Sequence, residues 1–234
     1  MSALLTRTGQ LLAHDGRIAG WLLAIWRCFL IGVSFLATAA PLLVFHALVG
    51  WQATHLAIAL FGLAVVPLVP GVHALLVATE RLLDLGGGAG AGRAFWAALR
   101  SGARRLSGAA LAAGIAAVVL SYDIALVGHV DALLLAAIGA TVLAIAALLA
   151  VCVAAAQTAL RGVALVSAAL TAAVRRPHIV LCWLLLSAIG AAASGIPLVG
   201  SSVAVFAPPL VAISIHICNR ALGFGRERLE TETS

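Results

Sequence analysis

Asp123 is the residue of this chain whose type and place most need a chemical explanation. A carboxylate closing an apolar run is costly to keep in lipid. It reads either as an interfacial carboxylate that reaches water and bonds Tyr122 or a histidine, or as a group that handles a solute or a proton. His73 is the second candidate. It follows Pro70 and Gly71, and it either faces Asp123 or Glu80 or bonds a carbonyl set free by the proline.

Three further groupings carry less. His46, His55, Asp123, His129 and Asp131 fall at one predicted end of the spans, and imidazole with carboxylate is coordination chemistry for zinc or copper. No two of them stand four apart on one helix face, however, and Asp131 is better read as the N-cap of a long helix. Cys28, Cys152, Cys182 and Cys218 lie in different apolar segments without a CxxC, so they read as packing thiols, with no disulfide and no metal. The glycine stretch 86–92 lacks the Lys and Ser/Thr of a phosphate loop, and neither a nucleophile motif nor HExxH occurs. We therefore expect no enzyme, no metal and no cofactor.

The elements that must position these residues follow from composition. Of 234 residues, 64% are hydrophobic and 9% charged, far below the roughly 25% charged of a soluble domain, so lipid is the expected solvent. At about 20 apolar residues per span the chain accommodates six, with no length left for a soluble catalytic head. Apolar runs place them near 28–49, 56–79, 107–128, 132–160, 178–199 and 203–222. The predicted fold is therefore an all-α polytopic membrane protein forming a single membrane domain. Residues 1–20 carry Arg7, His14, Asp15 and Arg17 in place of a cleavable signal pattern, so the first helix is read as retained. Ile18, Trp21, Leu22, Ile25 and Trp26 suggest an interfacial helix leading into it.

Charge fixes an orientation. All 14 basic residues are Arg, and each falls in an alternate loop or a terminal segment. By the positive-inside rule that side is cytoplasmic, with both termini inside the bacterial inner membrane. The net charge of +6 suits anionic headgroups of the inner leaflet; nucleic acid is not expected, because the arginines sit at span ends and form no groove with aromatics. Arg93, Arg100, Arg104 and Arg105 alternate with Phe95, Trp96, Leu99 and Leu106, which predicts a lipid-facing basic amphipathic helix over 93–106. The apolar run between Arg161 and Arg175 is too short to span and reads as an extension of span four or a second surface helix.

Pro67, Pro70 and Gly71 interrupt span two, and Pro208 with Pro209 interrupts span six, so a kink or local unwinding is expected in each. Pro70 precedes Arg81 by the spacing at which Pro209 precedes Arg220, the mark of a repeated hairpin. Small residues should form the helix contacts: Ser187, Ala191 and Gly195 in span five, Ala110 and Gly114 in span three.

Several short features resemble the YesL-like family of bacterial membrane proteins of unknown function. They are Pro70, Ala74 and Leu75 in span two, Phe95-Trp96 opening the basic helix, Ser121-Tyr122-Asp123 closing span three, and Arg175-Arg176-Pro177 before span five. The resemblance covers about residues 20–222 and implies an accessory role in carbohydrate uptake, in a complex with a transporter. The alternative is a small-solute transporter or channel with a path near Pro67 to His73 and Pro208. A polar cavity reaching midplane there marks the second reading; a site packed shut marks the first.

Overall fold

The computed structural model describes residues 17–49, 54–84, 90–127, 131–196 and 200–222, and among these every regular element is an α-helix. The helices are α1 (Arg17–Leu48), α2 (His55–Val65), α3 (Leu68–Asp84), α4 (Ala91–Arg105) and α5 (Ser107–Val127). They are followed by α6 (Asp131–Gln157), α7 (Gly162–Arg175), α8 (Pro177–Ser194) and α9 (Gly200–Ala221). Six stretches are long and apolar enough to cross a membrane: Ala19–Leu48, His55–Asp84, Ser107–Leu126, Asp131–Gln157, Pro177–Ser194 and Ser202–Ala221. The chain is an all-α polytopic membrane protein. Part of the glycine stretch, His129, Arg7, Arg226 and Arg228 lie outside the described residues.

Local sequence explains where the helices run and stop. Nothing between Trp26 and Phe29 breaks a helix, so the expected interfacial segment and span one are one continuous helix, α1. In span two the break falls at Val66–Pro67. Pro67 has no N–H for the Leu63 carbonyl, and the Val66 N–H turns back to that carbonyl at 3.3 Å. Pro70 and Gly71 do not extend the break. They sit in the first turn of α3, where amides have no intrahelical partner in any case. Span six is not interrupted: α9 runs through Pro208 and Pro209.

The short apolar run after span four is a separate helix, α7. Gly162 opens it at φ +57°, in the left-handed region, and Leu165 and Ala169 are buried beneath it. Asp131 lies in the first turn of α6, where its charge suits the helix dipole.

α4 corrects one expectation. Its apolar face is covered by protein: Phe95 is fully buried, Ala98 and Gly102 are buried, and the helix packs on α3 and α1. Arg93, Arg100 and Arg104 remain exposed on the other face.

Glycines set the closest helix crossings. A methyl group on Gly62 of α2 would come within 2.8 Å of the Gly114 carbonyl oxygen on α5, and one on Gly114 within 2.9 Å of the Gly62 carbonyl oxygen. Without hydrophobic drive between helices inside lipid, such close backbone packing is what holds them together. Ala110, one turn from Gly114, is buried as expected. In α8 the close approach is made by Gly190, against Val211, and not by the Ser187-Ala191-Gly195 row.

Candidate functional site

The two residues singled out from sequence lie at opposite ends of the molecule. Eighteen residues separate His55 from His73, about 27 Å of helix at 1.5 Å per residue, close to the thickness of a hydrocarbon core. His73 is therefore level with the Arg-rich boundary. At the other end, the His55 Nδ1 and Tyr122 hydroxyl are 2.7 Å apart, which joins α2 to α5. Asp123 beside them is exposed and takes part in no ion pair among the described residues. Tyr122 thus bonds a histidine, while Asp123 faces outward.

His73 is buried among α3, α4 and α6. The Cδ2 of its ring lies against Gly102, where a methyl group would approach to 2.6 Å, and it hydrogen-bonds the backbone of Cys152. Neither Asp123 nor Glu80 is its partner. Its Nδ1 is buried without a partner. Cys152, also buried, donates its thiol to the Val69 carbonyl oxygen at 3.6 Å, a weak bond between α6 and α3.

Arg105 departs from the lipid-facing role expected of it. As the last residue of α4, it turns its guanidinium onto the end of α6. Nη1 donates to the Ala155 carbonyl at 2.7 Å, Nε to the Leu160 carbonyl at 2.9 Å, and Nη2 to the carbonyls of Thr158 and Leu160. Those carbonyls sit at and just past the helix end and carry its partial negative charge, so one fork of donors caps α6. Burial first, and the nearby Arg161 second, lower the Arg105 pKa from its ordinary value. A guanidinium nonetheless stays protonated in proteins.

Sequence reasoning missed the polar groups along α9. His216 is buried and its Nε2 lies 2.9 Å from the Leu76 carbonyl oxygen of α3. Asn219, one turn on, accepts a hydrogen bond from the Trp183 indole of α8 at 2.9 Å, while its own Nδ2 is buried unpartnered. Thr79 of α3 is fully buried and donates back to the carbonyls of Leu75 and Leu76. Arg220 then pairs with Asp84 where both helices reach the surface. The signal was available: His216 and Asn219 stand three apart on one face of an apolar run, with exposed Ile217 on another. α3 and α9 run side by side in the same direction, so the segments related by the Pro-to-Arg spacing are neighbours.

A cavity of about 230 Å³ adjoins Pro208, and its lining is apolar: Phe35, Val72, Leu75, Leu149, Val211 and Ile215 are typical. Ser187 and Ser194 are the polar residues along its wall, and the Ser194 hydroxyl is taken by the Gly190 carbonyl at 2.9 Å. The region is therefore not packed shut, as an accessory protein was expected to be, but it presents only these two hydroxyls among apolar side chains. Among the described residues no three His, Cys, Asp or Glu side chains meet as metal ligands.

Fold and site together define a polytopic helical membrane protein whose buried polar groups tie helices together near the Arg-rich boundary. No family model, no curated protein and no solved structure matches this chain.

Proposed function

We propose that the protein is an accessory or regulatory partner of a carbohydrate uptake system in the bacterial cytoplasmic membrane and carries no solute itself. Its Arg-rich end, with both termini, faces the cytoplasm and anionic lipid. One observation supports the first part: the cavity at Pro208 is lined by apolar side chains apart from Ser187 and Ser194. Translocation of a polar solute needs groups that replace its hydration. Here His216 bonds a backbone carbonyl and Asn219 the Trp183 indole, both near the boundary. The orientation rests on the one-sided distribution of Arg, and the carbohydrate context on the resemblance to the YesL-like family.

Two measurements test the proposal. Purified protein in liposomes should give no flux of sugars or common ions above empty vesicles, and deletion of the gene should alter sugar uptake through a separate transporter. Flux that disappears on Asp123→Asn or His73→Ala would make the protein a transporter. Cysteine in place of exposed Arg100 should be shielded from impermeant maleimide in intact cells, and cysteine in place of exposed Asp123 should be labelled; the reverse pattern would invert the topology.

A further inference from the structure

The four cysteines are not equivalent once folded. Cys152 is buried in the core, and Cys28 stands on α1 apart from the other thiols. Cys182 of α8 and Cys218 of α9, 36 residues apart in sequence, meet: the Cys218 thiol donates to the Cys182 sulfur at a sulfur–sulfur distance of 3.1 Å. Both side chains are half-buried. Each lies close to the Arg-rich surface, Cys182 five residues after Pro177 at the start of α8, and Cys218 two residues before exposed Arg220. The next residue on each helix, Trp183 and Asn219, forms the indole–amide hydrogen bond, which holds the two helices in register around the sulfur pair.

We propose that Cys182 and Cys218 form a modification site, a dithiol that small-molecule disulfides oxidise to an intramolecular disulfide across the α8–α9 seam. The inference is independent of the accessory role proposed above. In the first step one cysteine thiolate attacks a sulfur of the small disulfide, forming a mixed disulfide and expelling one thiolate. In the second step the other cysteine attacks the protein-bound sulfur, forming the Cys182–Cys218 bond and expelling the second thiolate. Two S–H bonds and one small-molecule S–S bond are lost. One protein S–S bond and two small thiols are formed, and the two cysteine protons end on the leaving groups. The sulfurs must close by about 1 Å to reach a bond length near 2.05 Å, within the reach of side-chain rotation.

The bond would fasten the wall of the apolar cavity, because α8 and α9 together supply Ser187, Gly190, Ala207, Pro208 and Val211 to its lining. The pair also refines what the sequence suggested: no oxidising compartment is needed for a disulfide that forms and opens with the redox state on the Arg-rich side.

The experiment uses the full chain in mild detergent, exposed to 4,4′-dithiodipyridine and then mapped by non-reducing peptide mass spectrometry. The expected product is a Cys182–Cys218 cross-linked peptide lighter by two hydrogens than its two thiol peptides, running as monomer on non-reducing gels and reopened by dithiothreitol. Cys182→Ser should leave a stable pyridyl adduct on Cys218 and no cross-link, and Cys218→Ser the mirror result. Separate pyridyl adducts on both cysteines of the wild-type protein, or two unmodified thiols, would overturn the proposal. Since the wild-type chain alone decides between these outcomes, a folding defect in either variant leaves the test intact.

Discussion

The carbonyl oxygen of Val205 on α9 sits against the α-carbon of Gly32 on α1, so close that a methyl group on Gly32 would fall 1.8 Å from it. Pro209, four residues after Val205, has no N–H to offer that oxygen. An α-hydrogen of Gly32 points at the acceptor freed by Pro209, in a weak Cα–H···O contact.

Gly32→Ala should therefore destabilise the bundle by about 1 to 3 kcal/mol, the usual cost of overpacking, since backbone and not a flexible side chain stands in the way. A thermal melt in detergent measures it. Pro209→Ala in the same chain should not restore the loss, because it supplies an amide without clearing space. An unchanged melting temperature for Gly32→Ala would mean that α1 does not lie this close to α9.

Gly62 and Gly114 make a different kind of pair, each facing the other's carbonyl oxygen. Alanine at either position should push α2 from α5 and lower stability by about 1 to 3 kcal/mol. One separation accommodates both methyl groups, so the double variant should fall short of the sum of the singles by at least about 0.5 kcal/mol. Strict additivity would show that the two sites are relieved separately.

How much of this was legible beforehand differs by residue. The six long apolar helices were, because lipid demands long apolar runs and the chain supplies little else; the first begins nine residues earlier than the expected span, since it takes in the segment read as interfacial. Pro67 as a break was legible for the same reason that Pro70 was not: both lack an amide, but Pro70 falls where the restarted helix has none to use. Arg105 could not be placed from its neighbours, because its partners lie about fifty residues away at the end of another helix. His216 and Asn219 show no partner in the sequence, since each bonds a residue of another helix, 140 and 36 positions away.

The protein-covered face of α4 yields a third prediction. Phe95→Ala should cost about 3 to 5 kcal/mol, as for a large side chain removed from a packed core. Arg100→Gln together with Arg104→Gln should change the melt by less than about 1 kcal/mol, because both side chains are exposed. If the arginine variants release α4 to protease while Phe95→Ala does not, lipid and not protein holds this helix.

A fourth concerns the indole–amide bond between α8 and α9. Asn219→Leu strips the Trp183 N–H of this acceptor, and Trp183→Phe leaves the Asn219 carbonyl without its donor, so each should lose about 1 to 3 kcal/mol beyond any change in packing. The double variant, which removes both polar ends, should recover part of that loss. Denaturation of the four proteins of this cycle gives the coupling energy directly, and a value near zero would rule out a contributing bond.

The grip of Arg105 on the end of α6 also imposes an order on biogenesis. Ala155, Thr158 and Leu160 are synthesised 50 to 55 residues after Arg105, a delay of roughly 2.5 to 11 s at ~5–20 residues per second. Through that interval α4 exists and α5 is being completed, while the guanidinium has no α6 carbonyls to hold. The ends of α4 and α6 are therefore joined late, after the spans on either side of Arg105 have been made.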